Sequence, residues 1–133
     1  MQFTGINASP KVSSMGKSIP CVLMRAGTSR GPFFLRDWLP ADERERDQAL
    51  IGAIGASDLL QVDGVGGGST LTSKVAIVSR SAQPDCDVDY LFAQVGVGQT
   101  SVDTRPNCGN MLSGVGMLIA ILVTLFDRGI LSF

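Results

Sequence analysis

The sequence contains no histidine, so the side chain that most often transfers protons near neutral pH is missing from it. Serine or cysteine nucleophiles that depend on a histidine base are excluded within these 133 residues for the same reason. Proton transfer near pH 7 therefore has to use a cysteine, lysine, aspartate or glutamate whose pKa is shifted by its surroundings.

Cysteine is scarce, and its spacing is irregular. The three cysteines form no Cys-x-x-Cys pair, which disfavours both a disulfide framework and a zinc site. A reducing compartment suits such a composition, and we therefore expect a cytoplasmic protein.

The chain also lacks a basic stripe and an apolar N-terminal segment. Its formal net charge is −1, its 11 lysines and arginines are dispersed along the sequence, and only 6% of its residues are aromatic. A nucleic-acid-binding surface usually has clustered basic residues with aromatic residues between them, so nucleic acid is an unfavourable partner. Residues 1–18 are polar and serine-rich, without the apolar centre of a signal peptide. We interpret them as a disordered lead-in to a domain that spans residues 19–133.

The sequence does contain the pattern of one α+β domain. Apolar segments at 19–27 and 32–35 predict a hairpin, and two later segments, 75–81 and 88–97, predict further strands. Between the two pairs, residues 39–55 predict a helix that Asp42 caps and Gly55 ends. We expect a mixed or antiparallel sheet wrapped around a central buried helix.

The uncharged run at residues 111–126 is the candidate for that central helix. Its simplest interpretation is a helix buried on all sides, and a membrane span is the alternative. The run is about 16 residues long, whereas a bilayer needs roughly 20. It includes Ser113, Gly114 and Gly116 and has no flanking aromatic anchors. We therefore expect a core helix and no membrane partner.

Cys108 is the cysteine with a reason to ionise. Cys21 lies within an apolar strand that favours the neutral thiol, and Cys86 stands between two acidic residues that disfavour a thiolate. If a helix starts near Gly109, Cys108 lies at its N-terminus, where unpaired N–H groups stabilise a thiolate and attract a carboxylate. The alternative is that a neighbouring asparagine caps the helix and Cys108 only fills space.

Two polar segments are candidate anion sites. The glycine-rich segment 63–74 offers backbone N–H groups, with Gly67 and Ser73 as candidate contacts, and it ends in Lys74. Its spacing differs from that of a nucleotide phosphate loop. The segment 25–31 contains four side chains that could hold an anion, namely Arg25, Thr28, Ser29 and Arg30. The alternatives are a hairpin loop with a solvated lysine and an ordinary polar turn.

A candidate thiolate and several anion-binding segments, with neither histidine nor a metal-ligand motif, indicate proton transfer without metal or cofactor on a small polycarboxylate. In this interpretation Cys108 removes a carbon-bound proton. Backbone N–H groups and Lys74 stabilise the enolate that develops.

Four segments carry a more specific signal: IPCVLMRAGTSRGPFFL, DGVGGGSTLTSKVAIVSRS, DVDYLFAQV and VDTRPNCGNMLSGVG. Together they resemble the family of 4-oxalomesaconate tautomerase and 2-methylaconitate isomerase, called PrpF. Four long motifs in the right order, within residues 19–116, are more specific than any one of them. The stretches LTSKVAIV and PNCGNMLSGVG look closer to the tautomerase branch.

The resemblance implies a diaminopimelate epimerase-like fold, in which two similar α+β halves flank an active-site cleft. It implies that Cys108 is the acid/base of the first half and that Lys74 lies in the pocket. The substrate contacts that we predict in the neighbouring motifs are Thr28, Ser29, Asn107, Gly109 and Asn110. The implied reaction is keto–enol tautomerisation of 4-oxalomesaconate, with isomerisation of 2-methylaconitate as the alternative.

The sequence departs from this family at three points. Ala26 stands where a glycine is usual, and the residues after Gly116 are more apolar than expected. Family members are also more than twice as long, and their second half carries a partner cysteine. We therefore expect an N-terminal half only. An inactive carboxylate-binding remnant and a homodimer that pairs two half-interfaces are the alternatives.

Overall fold

Five strands form one mixed sheet, in the order in which they occur along the chain. The computed structural model describes residues 18–131, so the predicted lead-in falls almost entirely outside the described residues. Strands β2 and β3 are parallel, and the other neighbours are antiparallel. The strands are β1 (Val22–Ala26), β2 (Ser29–Leu35), β3 (Lys74–Arg80), β4 (Val88–Val95) and β5 (Val102–Asp103).

Helix α1 (Glu43–Ile54) lies in the connection between the parallel strands β2 and β3, after a short 3-10 turn at Arg36–Trp38. Parallel neighbours need such a crossover. The predicted cap is confirmed, because the Asp42 carboxylate accepts a hydrogen bond from the Glu45 N–H at 3.0 Å. The predicted end is also confirmed: Gly55 has φ +76°, which glycine adopts without strain.

Strand alternation divides the core between the two faces of the sheet. Phe34 and Ile77 pack with α1 on one face. Their sequence neighbours Phe33 and Ala76 point to the other face, where helices α2 (Gly109–Ser113) and α3 (Val115–Asp127) lie. The predicted mixed α+β architecture is thus present, as a sheet with helices on both faces.

The expectation of a helix buried on all sides is wrong. In α2 and α3 the buried apolar residues are Met111, Val115 and Leu118. Leu112, Met117, Val123 and Phe126 are all at least 45% exposed. The five strands lie on one side of these helices, so only one stripe of each helix is covered.

The length argument against a membrane span also needs correction. The helical stretch Gly109–Asp127 has 19 residues and is long and apolar enough to cross a bilayer, and 28% of its most apolar window is buried. Length and composition are weak evidence, because core helices meet the same criterion. The break between α2 and α3 at Gly114 and the short strand β5 were not predicted from the sequence.

Candidate active site

Three side chains from distant parts of the sequence meet at the ends of two strands and a helix. The Lys74 ammonium lies 3.5 Å from the Cys108 Sγ atom and donates a hydrogen bond to the Ser29 hydroxyl at 3.2 Å. Ser29 begins β2 and Lys74 begins β3, while Cys108 is the residue before α2. Because β2 and β3 run parallel, their N-terminal ends meet at the same edge of the sheet.

The peptide groups of Cys108 are held on both sides. Its N–H donates to the Asn107 side-chain oxygen at 2.8 Å. Its carbonyl accepts from the Leu112 N–H at 3.0 Å and from the Tyr90 hydroxyl at 3.1 Å. The backbone of Cys108 is extended, and the residue is 8% exposed. Cys108 therefore occupies the cap position of α2, and the alternative in which a neighbouring asparagine caps the helix does not apply.

The surroundings of Cys108 favour the thiolate. Burial would raise the pKa of the Cys108 thiol, but the Met111 N–H, the positive charge of Lys74 and the Ser29 hydroxyl outweigh it and lower that pKa below its ordinary value. In contrast, burial raises the pKa of the Cys21 thiol. Cys86 is exposed in a turn. Cys108 is thus the cysteine that the fold prepares for ionisation, as the sequence predicts.

Thr28 and Asn110 close the site on the side of the β1–β2 turn. The Asn110 side-chain N–H₂ donates to the Thr28 hydroxyl at 3.1 Å, and the Thr28 N–H donates to the Asn110 side-chain oxygen at 3.4 Å. Gly27, with φ +58°, has no room for a side chain, because a Cβ atom would overlap Asn110. The segments GTS and CGN therefore meet, with Gly109 between Cys108 and Asn110.

Ser73 does not reach this site through its side chain, in contrast to the sequence-based expectation. It is fully buried, and its hydroxyl donates to the Ser69 carbonyl at 2.6 Å while it also pairs with the Gln61 amide. The residue therefore stabilises the glycine-rich loop from within. The Ser73 hydroxyl could contact a substrate only if its hydrogen bonds to Gln61 and Ser69 were broken.

Arg25 and Gly67 also lie apart from the Lys74–Cys108 pair. Alternation along β1 sets Arg25 on the opposite face from its neighbour Ala26, which packs with Cys108. The Arg25 guanidinium donates to the Gly27 carbonyl at 3.2 Å. Gly67 has φ +71°, and its surroundings are the Arg30 and Thr72 side chains. Neither residue is brought to the thiol.

An open cavity of about 1300 Å³ lies elsewhere, between α1 and the strands β1 and β2. Its lining includes Cys21, Phe34 and Ala53, which belong to the α1 face of the sheet. This cavity is therefore separate from the Cys108 site, which lies on the other face of the sheet. Among residues 18–131 no group of three or more metal-ligating side chains comes together.

Tyr90 and Phe92 adjoin the site and were not predicted. Both lie on the α2–α3 face of β4. The Lys74 ammonium lies 5.9 Å from the centre of the Phe92 ring, within range of a cation–π interaction. The alternation of residues along β4 indicates that Tyr90 and Phe92 share one face of the strand. Their proximity to Lys74, however, follows only once the register between β3 and β4 is known.

Comparisons with known proteins agree with one another. A family model described as PrpF protein matches residues 16–127. A protein of Escherichia coli K12 named as isomerase YbhH is 62% identical over 100 residues, which are 75% of this chain and 29% of that protein. The 4-oxalomesaconate tautomerase of Pseudomonas putida is 55% identical over 103 residues, 77% of this chain and 28% of that protein.

A solved structure supports the same relationship at the level of the fold. The crystal structure of methylitaconate-delta-isomerase superimposes with a TM-score of 0.72 at 51% identity, covering 74% of this chain and 44% of that chain. The chain spans less than a third of the length of the curated relatives that it matches.

Proposed function

This chain belongs to the PrpF protein family, and on that premise we propose that its Cys108–Lys74 pair transfers a proton in the isomerisation of a small unsaturated polycarboxylate. One observation carries the proposal: the Lys74 ammonium lies 3.5 Å from a thiol at a helix N-terminus. Positive charge and N–H donors at that point stabilise the thiolate, which is the form that accepts a proton.

The reaction needs no oxidant or reductant. The Cys108 thiolate takes a proton from a carbon next to a carbonyl or carboxylate, so that a C–H bond breaks and an S–H bond forms. The electron pair of the C–H bond moves into the conjugated system and gives an enolate. The Lys74 ammonium and nearby N–H groups stabilise that negative charge. A proton returned to the other end of the system completes the isomerisation.

For the substrate, we favour 4-oxalomesaconate, whose keto–enol tautomerisation requires such a proton shift. The name of the Pseudomonas putida relative supports this choice. The alternative substrate is 2-methylaconitate, and the similarity to a methylitaconate isomerase supports a double-bond shift of this second type. Both reactions begin with the same abstraction at carbon, so the role of Cys108 is the same in either case.

The site also supports a proposal about the contacts of the substrate. Ser29 bonds Lys74, Thr28 and Asn110 bond each other next to the thiol, and Gly109 follows the thiol with a backbone N–H group. Carboxylates bind to helix N-terminal N–H groups and to lysine. We assign the sheet and its flanking helices to one half of a diaminopimelate epimerase-like fold, which would set a second half opposite this edge.

Deuterium exchange from solvent tests the proposal. The purified chain, Cys108→Ala and the matched control Cys86→Ala are incubated in D₂O with 4-oxalomesaconate or 2-methylaconitate, and deuterium at carbon is measured by NMR. We expect exchange in the wild type and the control, and a fall on the order of 100-fold or more in Cys108→Ala. Binding without any exchange in the wild type would instead support a carboxylate-binding remnant and would reject the proposed activity.

A further inference from the structure

We propose that Tyr90 is a positioning residue, whose hydroxyl holds the Cys108 peptide so that the thiol stays in contact with Lys74. The inference rests on the proposed function, since it assigns a supporting residue to the same proton-transfer site. Tyr90 lies on β4, remote in sequence from Cys108, and its hydroxyl donates to the Cys108 carbonyl at 3.1 Å. It touches the backbone of the reacting residue and not the reacting atom.

The position of Cys108 needs an anchor outside its own segment. Asn107, which binds the Cys108 N–H, is the preceding residue and moves with it. The Leu112 N–H, which binds the carbonyl, belongs to the short helix that Cys108 begins. The Tyr90 hydroxyl, by contrast, joins Cys108 itself to strand β4, whereas Asn110 joins α2 only to Thr28 in the β1–β2 turn. Loss of the Tyr90 hydroxyl would let the N-terminus of α2 move relative to β3, which carries Lys74.

Strand β4 supplies a support for each member of the pair. In the β3–β4 register, Tyr90 lies opposite Val78 and Phe92 lies opposite Ala76. Tyr90 and Phe92 are two residues apart and therefore share a face of the strand. Phe92 lies beneath the Lys74 ammonium, while Tyr90 holds the Cys108 carbonyl. One strand thus contacts both the residue that carries the ammonium and the residue that carries the thiol.

The ionisation of Tyr90 suits this role. Burial, and then the negative charge of the Cys108 thiolate, raise the pKa of the Tyr90 phenol to about 12. The phenol therefore remains protonated over the whole range in which a cysteine of lowered pKa ionises, and it can donate its hydrogen bond in both states of the thiol.

The test measures the ionisation of Cys108 without any substrate. In a Cys21→Ala/Cys86→Ser background, the rate of alkylation by iodoacetamide is followed against pH, because only the thiolate reacts. We expect Tyr90→Phe to raise the apparent pKa of Cys108 by about half a unit, which lowers the alkylation rate near neutral pH about threefold. The matched control is Thr124→Val, which removes another hydroxyl that donates to a carbonyl, that of Ala120 in α3.

An unchanged pKa in a folded Tyr90→Phe protein would overturn the inference, as would an equal shift in Thr124→Val. A second measurement does not depend on the folding of Tyr90→Phe. Tyr90 is the single tyrosine of the sequence, so phenolate absorbance near 295 nm reports it alone. We expect the pKa of Tyr90 to be lower in Cys108→Ala than in the wild type, because the thiolate charge is removed, and equal values would contradict the proximity of the phenol to the thiolate on which the inference depends.

The outcomes separate this inference from the proposed function. A shift of the thiol pKa in Tyr90→Phe, in a protein that exchanges no deuterium into either acid, would retain the positioning role and reject the activity. If the wild type is active, we expect Tyr90→Phe to lower kcat several-fold with little change in KM, because the phenol does not touch substrate.

Discussion

Opposing effects meet at the Cys108 thiol. The residue is 8% exposed, and burial in apolar surroundings normally keeps a thiol neutral. The Met111 N–H, the Lys74 charge and the Ser29 hydroxyl act in the other direction, and together they lower the pKa of the thiol. In the proposed function this thiolate serves as the base, since the sequence has no histidine for that role.

The lowered pKa of Cys108 makes folding stability depend on pH. A group whose pKa falls on folding adds stability above its unfolded-state value and loses that stability as the pH falls through the folded-state value. We therefore expect the stability advantage of the wild type over Cys108→Ser, measured by urea unfolding, to grow as the pH rises towards 9.0, the ordinary pKa of the thiol. An advantage that stays constant or shrinks over this range would contradict a lowered pKa.

At the scale of residues, the sequence indicates the surroundings of a side chain well when they depend on its neighbours along the chain. Cys108 could be identified because a helix start follows it, and Lys74 because it ends a glycine-rich segment. The role of Ser73 could not be predicted, because its burial depends on Gln61, which reaches it across the loop. Tyr90 was missed because its partner is 18 residues away and is a backbone carbonyl.

At the scale of elements, the junction of α2 and α3 fixes how closely the helices approach the sheet. A Cβ atom on Gly114 would lie 2.6 Å from the Phe33 ring and 3.0 Å from the Ala26 Cβ. Gly116, only two residues later, has nothing within 4 Å of such an atom. The two glycines therefore differ in their packing, although both lie within the same uncharged run of the sequence.

This difference predicts opposite effects of the same substitution. Gly114→Ala should lower the free energy of unfolding by about 1–3 kcal/mol, because Phe33 is fully buried and cannot move away. Gly116→Ala should raise it by roughly 0.5–1 kcal/mol, since alanine favours the helix and meets no neighbour. Denaturant unfolding of both variants checks the pair. Equal destabilisation would contradict the observed packing.

The cap of α1 gives a second prediction for an element. Asp42→Ala removes the hydrogen bond to the Glu45 N–H and should lower the free energy of unfolding by about 1 kcal/mol. Asp42→Asn is the matched control, because an asparagine oxygen can accept the same hydrogen bond. Thermal unfolding followed by circular dichroism would compare them, and an Asn variant as unstable as the Ala variant would argue against the cap.

Elements with strong local signals could be predicted from the sequence. The β1–β2 hairpin, α1 with its cap and end, and strands β3 and β4 all appear where their patterns indicate. Strand β5 has two residues and no pattern of its own, since its pairing with β4 defines it. The close approach of Gly114 to Phe33 is likewise a property of tertiary packing and not of periodicity.

At the scale of the whole molecule, hydropathy gave the position of the last helix but not its burial. An uncharged run is compatible with burial on all sides, yet the sheet covers only one stripe of α3. Met117, Val123 and Ile130 are each at least 50% exposed. The described residues thus present an apolar surface on the α2–α3 face, and the burial of a helix depends on how many neighbours surround it.

That surface predicts binding of an apolar dye. We expect the chain to increase the fluorescence of anilinonaphthalene sulfonate in its folded state, and Met117→Gln combined with Val123→Gln to reduce the increase. The melting temperature should change little, because both side chains are already exposed. Loss of cooperative unfolding in the double variant would show instead that the two residues are part of the core.

The most direct test of the central claim is the pKa of Cys108 with and without the Lys74 charge. In the Cys21→Ala/Cys86→Ser background, the pH dependence of iodoacetamide alkylation is measured for three proteins: the one that retains Lys74, the Lys74→Met variant and the Arg80→Gln control. The control removes a positive charge at the other end of β3. We predict that Lys74→Met raises the pKa of Cys108 by about one unit, roughly a tenfold fall in thiolate below that pKa, while Arg80→Gln leaves it unchanged. The same pKa in all three folded proteins would contradict the claim that Lys74 prepares Cys108 for proton transfer.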